Sequence, residues 1–267
     1  MSESTETETE PEFVRERRGQ IEILRINRPD ARNALNSAVI AALGNGLHEA
    51  DRDPSVRAIV LTATGDRAFC AGMDLRDFAS GTTASPDLLE GQTRFRRALR
   101  EGITTPLIGA ANATAVAGGF ELLLMCDLIV CAETAKFGVP EVKRGLFAAG
   151  GGAALLGRWL PPVVALELTM TGDLIDAQRA LQLGLVNRVV PSAQVLDEAL
   201  ALAGRVVANG PLGVQATKRI VRASTQLTAA ETWALQDELH ASVFDSDDAK
   251  EGARAFVERR DPVWTGH

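Results

Sequence analysis

Two carboxylates stand out by type and by neighbourhood. Glu121 lies inside the apolar run Phe120–Met125, directly after the pair Gly118-Gly119, and Glu141 follows the turn Gly138-Val139-Pro140. A buried, unpaired carboxylate costs on the order of several kcal/mol. Acids in such surroundings therefore pair with a cation or move protons. Two further stretches, Ala71-Gly72-Met73 and Ala117-Gly118-Gly119, put glycine where a strand gives way to a helix. Glycine there lets backbone N–H groups face a ligand, and the helix dipole adds positive character. Two such N–H groups can form an oxyanion hole. With Glu121 in the first helical turn, and Glu141 beside it, the set suits polarising a thioester or ketone and moving a proton at its α carbon. A structural reading stays open at this point, in which the glycines serve close helix–strand packing and Glu121 is half exposed.

Other chemistries find less support. No G-x-G-x-x-G follows a strand, and no phosphate-binding G-x-x-x-x-G-K-[ST] occurs. Cys126 and Cys131 lack a second pair at zinc-ligand spacing, and the histidines are only His48, His240 and His267, so no metal is expected and a Ser-His-Asp triad is poorly supplied. Cys70, Cys126 and Cys131 form an odd, sparse set that suggests reduced thiols and a cytoplasmic setting. A net charge of −7 argues against general nucleic-acid binding. No run reaches the roughly 18 apolar residues of a membrane span, and the acidic start does not resemble a secretory leader, so no membrane partner is expected.

The elements that position these residues alternate along 267 residues, enough for one large domain or a domain with an appendage. Residues 1–12 form an acidic tail expected to be disordered, with order beginning near Phe13. Ile21–Ile26 reads as a strand and Asn27–Asp30 as a turn. Asn36 or Ser37 caps a helix through about Ala50 with Val39, Ile40, Leu43 and Leu47 on one face. Ala58–Thr62 is a buried-type strand, Arg67–Leu75 a small-residue turn, and Gly81–Pro86 a flexible polar loop. A helix over Asp87–Glu101 turns Leu88, Leu89, Phe95 and Leu99 inward and Arg94, Arg96, Arg97 and Arg100 outward, either as a solvated face or as a contact for an anionic ligand. Pro106–Val116 reads as a strand pair, Gly118–Cys126 as a helix and Leu128–Cys131 as a strand. A second glycine-rich loop at Ala148–Gly152 opens a helix that Pro161-Pro162 ends. Helices follow at Val163–Met170, Asp176–Leu183, Ala193–Val207, Pro211–Ser224, Thr228–Phe244 and Asp247–Glu258, with a short strand at Leu185–Val190. The β–α alternation makes this an α/β chain with a helical tail.

Several motifs, in order, resemble the crotonase (enoyl-CoA hydratase/isomerase) superfamily. They are Asn27-Arg28-Pro29 with Asn33-Ala34-Leu35, Phe69–Leu75, Ala117–Glu121 with Cys126-Asp127, Phe137–Glu141, Ala180–Pro191 and Ala255–Arg260. The resemblance implies a core of repeated ββα units over residues 13–205 and a C-terminal helical region, 206–267, that assembles trimers, often paired into hexamers. It implies an acyl-CoA substrate and no cofactor beyond the coenzyme A of that substrate. Position by position, it makes Met73 N–H and Gly118 N–H the oxyanion hole, and Glu121 and Glu141 the catalytic acids. Asp30, Ala31 and Arg32, with Ala71, Asp74, Leu75 and Arg76, would line the CoA groove, the Ala71 carbonyl lying near the adenine. Phe256 and Arg259 would reach CoA from a neighbouring subunit.

Retention of both acids favours hydration of a trans-2-enoyl-CoA to a 3-hydroxyacyl-CoA, since many isomerases of the family keep one. Phe120 is similar to carnitinyl-CoA dehydratase-like members, Ala117 stands where glycine is common, Arg76 where lysine is frequent, and the loop at Ala148–Gly151 lacks a common proline. Another crotonase reaction, such as carnitinyl-CoA-type dehydration or double-bond isomerisation, and a non-catalytic acyl-CoA-binding protein are the alternatives.

Overall fold

A parallel sheet needs both of its faces covered, usually by helices, and its strands then read as continuous apolar runs such as Ala58–Ala63. The computed structural model describes residues 10–80 and 85–267. Most of the expected acidic tail and, of the expected polar loop, Gly81–Ala84 lie outside the described residues. Glu12 is already engaged: its carbonyl accepts from Asn27 N–H at 2.7 Å and its carboxylate pairs with Arg28 at 2.7 Å.

The first strands are β1 (Phe13–Arg18), β2 (Ile21–Ile26) and β3 (Ala58–Ala63), with helix α1 (Ser37–Arg52) between the last two. β1 goes beyond the sequence reading, which placed only the onset of order there. Its charges are those of an edge strand, and Arg15 and Arg17 reach the buried Glu22 on β2. Asn36 caps α1 by accepting from Val39 N–H at 2.8 Å. Helices α2 (Leu75–Ser80) and α3 (Pro86–Glu101) precede β4 (Leu107–Ala111), β5 (Ala115–Val116), α4 (Gly118–Met125), β6 (Leu128–Ala132) and β7 (Lys136–Gly138). Then come α5 (Gly152–Trp159), α6 (Pro162–Thr171), β8 (Ile175–Asp176), α7 (Ala177–Gln182) and β9 (Arg188–Val190). Four helices close the chain: α8 (Val195–Val207), α9 (Pro211–Ser224), α10 (Ala229–Phe244) and α11 (Asp247–Glu258).

The large sheet runs β1-β2-β3-β4-β6-β9 and is parallel apart from β1; the small one runs β5-β7-β8. The expected strand pair at Pro106–Val116 is therefore split. β4 sits between β3 and β6 in the large sheet, whereas β5 pairs with β7 in the small one. The chain steps from sheet to sheet and then into a helix, as β4-β5-α4 and again as β6-β7 before α5. This is the ββα repeat. Its consequence is local: the two strands of the small sheet that end beside each other, β5 and β7, lead directly to Glu121 and Glu141.

The core fills the space around β3, β4 and β6 and includes Leu43, Leu47, Ile59, Leu61, Ile108, Leu123 and Phe137, all without exposure. Helix α3 lies across α1 at backbone contact; a Cβ at Gly44 would fall 2.0 Å from the Gly91 carbonyl oxygen. Leu89, expected to face inward, is exposed, because this close crossing is made by Gly91 and Ala98 instead. Arg94, expected on the outer face, is partly covered and bonded to Asn45 and Glu90.

Candidate active site

Three short backbone segments meet at the site. The first is Cys70–Asp74. Leu35 bridges Met73 in parallel, accepting nothing from it: Leu35 N–H donates to Gly72 O at 2.8 Å and Asp74 N–H donates to Leu35 O at 2.9 Å. In a parallel ladder a residue whose two neighbours make the bonds turns its own N–H the other way. Met73 N–H thus points away from Leu35. The second segment is Ala117–Glu121. Gly118 is the first residue of α4, where N–H groups have no intrahelical acceptor, and neither Gly118 nor Met73 donates a backbone bond among the described residues. Glycine is required by contact here. A Cβ at Gly119 would lie 2.1 Å from the Cys70 carbonyl oxygen, and one at Gly72, whose φ is +92°, would lie 3.2 Å from Gly118 N. The packing reading of these glycines and the oxyanion reading are therefore compatible: close packing is what brings the Gly72-Met73 and Gly118-Gly119 segments together.

The third segment is the loop that carries Glu141 and continues to α5. Glu121 is 7% exposed, rather than half exposed. Its Oε1 accepts from Gly152 N–H at 2.8 Å, and the neighbouring Gly150 backbone also favours the charged carboxylate. The loop touches the acid so closely that a Cβ at Gly150 would fall 2.3 Å from Glu121 Oε2. This glycine clamp was visible in the sequence only as the opening of a helix; the run Gly150-Gly151-Gly152 was the available signal.

Among the described residues neither acid forms an ion pair that would fix it as a simple anion. Burial pushes the Glu121 carboxyl above the ordinary carboxylate range, the Gly152 N–H bond and the Gly150 backbone oppose this, and the Glu141 charge adds to the rise. Burial also pushes Glu141 up, and its Oε2 is buried with no hydrogen-bond partner among the described residues. Two interacting carboxyls with raised affinities, one held by N–H donors and one unbonded at an oxygen, can share and relay a proton.

A groove of about 330 Å³ adjoins this cluster, lined by Arg32, Arg67, Ala68, Ala71, Thr114 and Val116. Arg32 and Ala71, both assigned to the CoA groove from sequence, meet there, and Ala71 N–H donates to Arg32 O at 3.1 Å. Arg67 and Thr114 were missed. Asp30 and Ala31 are exposed on the adjoining turn, and Leu75 and Arg76 are exposed at the start of α2. Asp74 is committed elsewhere, to Arg28 at 3.0 Å. Phe256 is 85% exposed, and Arg259 ends α11 with φ 55°. Phe120 is 1% exposed and packs on Phe137 at 5.7 Å between ring centroids, inside the core. Cys70, beside the oxyanion segment, is held as a thiol by burial, its pKa pushed up to about 12. No group of three or more metal-ligating side chains occurs among the described residues.

Comparison with known proteins gives one consistent result. The family model described as enoyl-CoA hydratase/isomerase matches residues 16–267. An enoyl-CoA hydratase of Mycobacterium tuberculosis is 40% identical over 263 residues, covering 96% of this chain and 97% of that protein. A carnitinyl-CoA dehydratase of Salmonella paratyphi A is 37% identical, with 94% and 97% covered. A solved enoyl-CoA hydratase structure from Mycobacterium tuberculosis superposes with a TM-score of 0.89 at 46% identity, over 97% of this chain and all of that one.

Proposed function

The chain belongs to the enoyl-CoA hydratase/isomerase family, and from that membership and its coupled pair of acids we propose that it adds water across a trans-2-enoyl-CoA to give a 3-hydroxyacyl-CoA. The observation that carries the proposal is the pair of buried carboxyls: Glu121 Oε1 accepts from Gly152 N–H, Glu141 Oε2 is buried with no partner among the described residues, and burial raises the proton affinity of both, with the Glu141 charge felt at Glu121. A one-acid site would have no such coupling.

In this reading Met73 N–H and Gly118 N–H donate to the thioester oxygen and hold the charge that gathers there as oxygen adds to C3. Preorganised donors of this kind are worth on the order of 10²–10³ in rate apiece. Glu121, whose carboxylate is held by Gly152 and Gly150, takes a proton from the attacking water. Glu141, whose buried Oε2 favours the protonated form, delivers a proton to C2 as the enolate collapses. The C3–O and C2–H bonds form, one water O–H bond breaks, and a proton passes from Glu121 to Glu141 to restore the pair. No redox cofactor or metal enters this balance. Arg32, Ala71 and Arg67 would hold the CoA moiety in the adjoining groove, with Asp30, Ala31, Asp74, Leu75 and Arg76 at its margins.

A second reading, dehydration of a carnitinyl-CoA-type thioester, is favoured by the 37% identity to carnitinyl-CoA dehydratase. It uses the same acids in reverse. Helices α9 and α10 bury none of their residues and leave Trp233 and Phe244 exposed, as are Phe256 and Val257 on α11. These faces support self-association as a trimer or a pair of trimers. No helix among the described residues is long and apolar enough to cross a membrane, which is compatible with a cytoplasmic setting.

The test is loss of enoyl absorbance with crotonyl-CoA and longer enoyl-CoAs, run beside carnitinyl-CoA, on enzyme whose mass is measured by light scattering. Hydration of an enoyl-CoA by an assembly of three or six chains is expected. Binding of these thioesters without turnover would sink the enzymatic reading, and a mass of one 28.4 kDa chain would sink the assembly.

A further inference from the structure

Ala117 holds a backbone conformation that its own side chain disfavours. Its φ of 52° and ψ of −131° are those of the first central residue of a type II′ turn, a position dominated by glycine. Strain of this kind persists only where the surroundings over-determine it, and here they do so from three sides. Ala117 N–H donates to the Gly138 carbonyl at 2.9 Å, three residues before Glu141. Its carbonyl accepts from Phe120 N–H at 2.9 Å and Glu121 N–H at 3.0 Å, fixing the first turn of α4. Its methyl faces Gly72, so that a Cβ on Gly72 would lie 2.8 Å from it. Gly72 immediately precedes Met73, and Gly118 immediately follows Ala117.

One residue is thus tied to the backbone of Glu121 and to the strand end that leads to Glu141, and its chain neighbour Gly118 carries one of the two N–H donors. We propose that Ala117 is a positioning residue whose methyl is the spacer between the Gly72-Met73 segment and the start of α4, setting the separation of the Met73 and Gly118 N–H groups. The proposal rests on the hydration reading above. Ala117 touches no reacting atom: both its backbone groups are used internally, and its methyl packs on Gly72. Glycine at this position would adopt the same φ without strain and keep both backbone bonds. It would remove only the methyl, which separates the spacer role from simple structural support.

Ala117→Gly and Ala117→Ser should be compared with wild type for kcat and KM on crotonyl-CoA, and for melting temperature. Loosened oxyanion donors in Ala117→Gly should lower kcat about tenfold with KM nearly unchanged, since small misplacements at a reacting centre act on the transition state. Its melting temperature should equal or exceed that of wild type, because strain is relieved. Ala117→Ser keeps the β carbon and should keep kcat within about twofold. An unchanged kcat in Ala117→Gly, or an equal fall in both variants, would overturn the spacer. Acetoacetyl-CoA supplies a readout without turnover, because its enolate absorbs in the ultraviolet and accepts from the same donors. If wild type binds this probe yet hydrates no enoyl-CoA, the hydration reading fails by itself. The spacer then stands if Ala117→Gly binds the probe about tenfold more weakly, and falls if binding is equal.

Discussion

Glu121 lies in the first turn of one short helix, α4, Asp127 lies just beyond its end, and the two meet opposite surroundings. Asp127 accepts from Leu107 N–H at 2.8 Å and pairs with Lys218 and Arg222, each at 2.7 Å. Lys218 in turn donates to Thr105 O, and Arg222 to Met125 O. Every charge in that cluster has an opposite. Glu121, in the first turn of α4, faces N–H groups and another acid. Sequence alone shows two acids in one apolar stretch. What separates a structural carboxylate from one fit for proton transfer is the sign of its neighbours, and those neighbours arrive from residues 141–152 on one side and 218–222 on the other.

The largest expected effect breaks the acidic side of this comparison. Glu121→Gln and Glu141→Gln should each lower kcat for hydration by about 10²–10⁴, the usual worth of a positioned acid or base, while circular dichroism and melting remain those of a folded protein. Wild-type turnover in either variant would remove that residue from the mechanism. The double variant should lose little more than the worse single one, because groups that act as a unit are not additive.

The next effect breaks the paired side. Asp127→Asn removes from Lys218, a lysine whose proton affinity burial already lowers, the carboxylate it pairs with at 2.7 Å. Removing one partner of a buried pair costs about 3 kcal/mol. Because α9 has no buried residue of its own, these bonds carry much of its attachment to the core. The variant should show an earlier urea midpoint and near-normal turnover per folded enzyme. An unchanged midpoint would mean that α9 is held by other contacts.

This contrast also explains what could be read from the chain beforehand. The acids, the glycine pairs and most helices were legible because they are local: a capping residue, a 3.6-residue period or a proline marks them. Asn36, Thr228 and Ser246 cap helices whose ends were anticipated to within a residue or two. What escaped was set by partners distant in sequence. β1 is a charged edge strand whose order depends on Glu22 and β2. The split of β4 from β5 depends on which sheet each joins. Gly152 bonds Glu121 across 31 residues of chain, with Gly150 packed beside the same carboxylate. The strain at Ala117 is a backbone property that alanine does not announce.

The smallest effect sharpens the comparison through stability. Glu121 has its folded-state proton affinity raised from the ordinary value of 4.5. Protonation therefore favours the fold, so this group's contribution is fully present below pH 4.5 and is lost as pH rises through its folded-state pKa. At neutral pH the charged Glu121 is a cost, which a neutral isostere of the same shape avoids. Glu121→Gln should melt above wild type at pH 7, and the gap should close as pH falls toward 4.5. Asp127→Asn should melt below wild type at neutral pH, since its partners are cations. Two acids, one within α4 and one just past its end, would then give opposite signs in one experiment. If Glu121→Gln instead melts lower at pH 7 and the deficit shrinks on acidification, the clamp from Gly150 and Gly152 outweighs burial and the Glu141 charge. Glu121 would then belong, electrostatically, with Asp127.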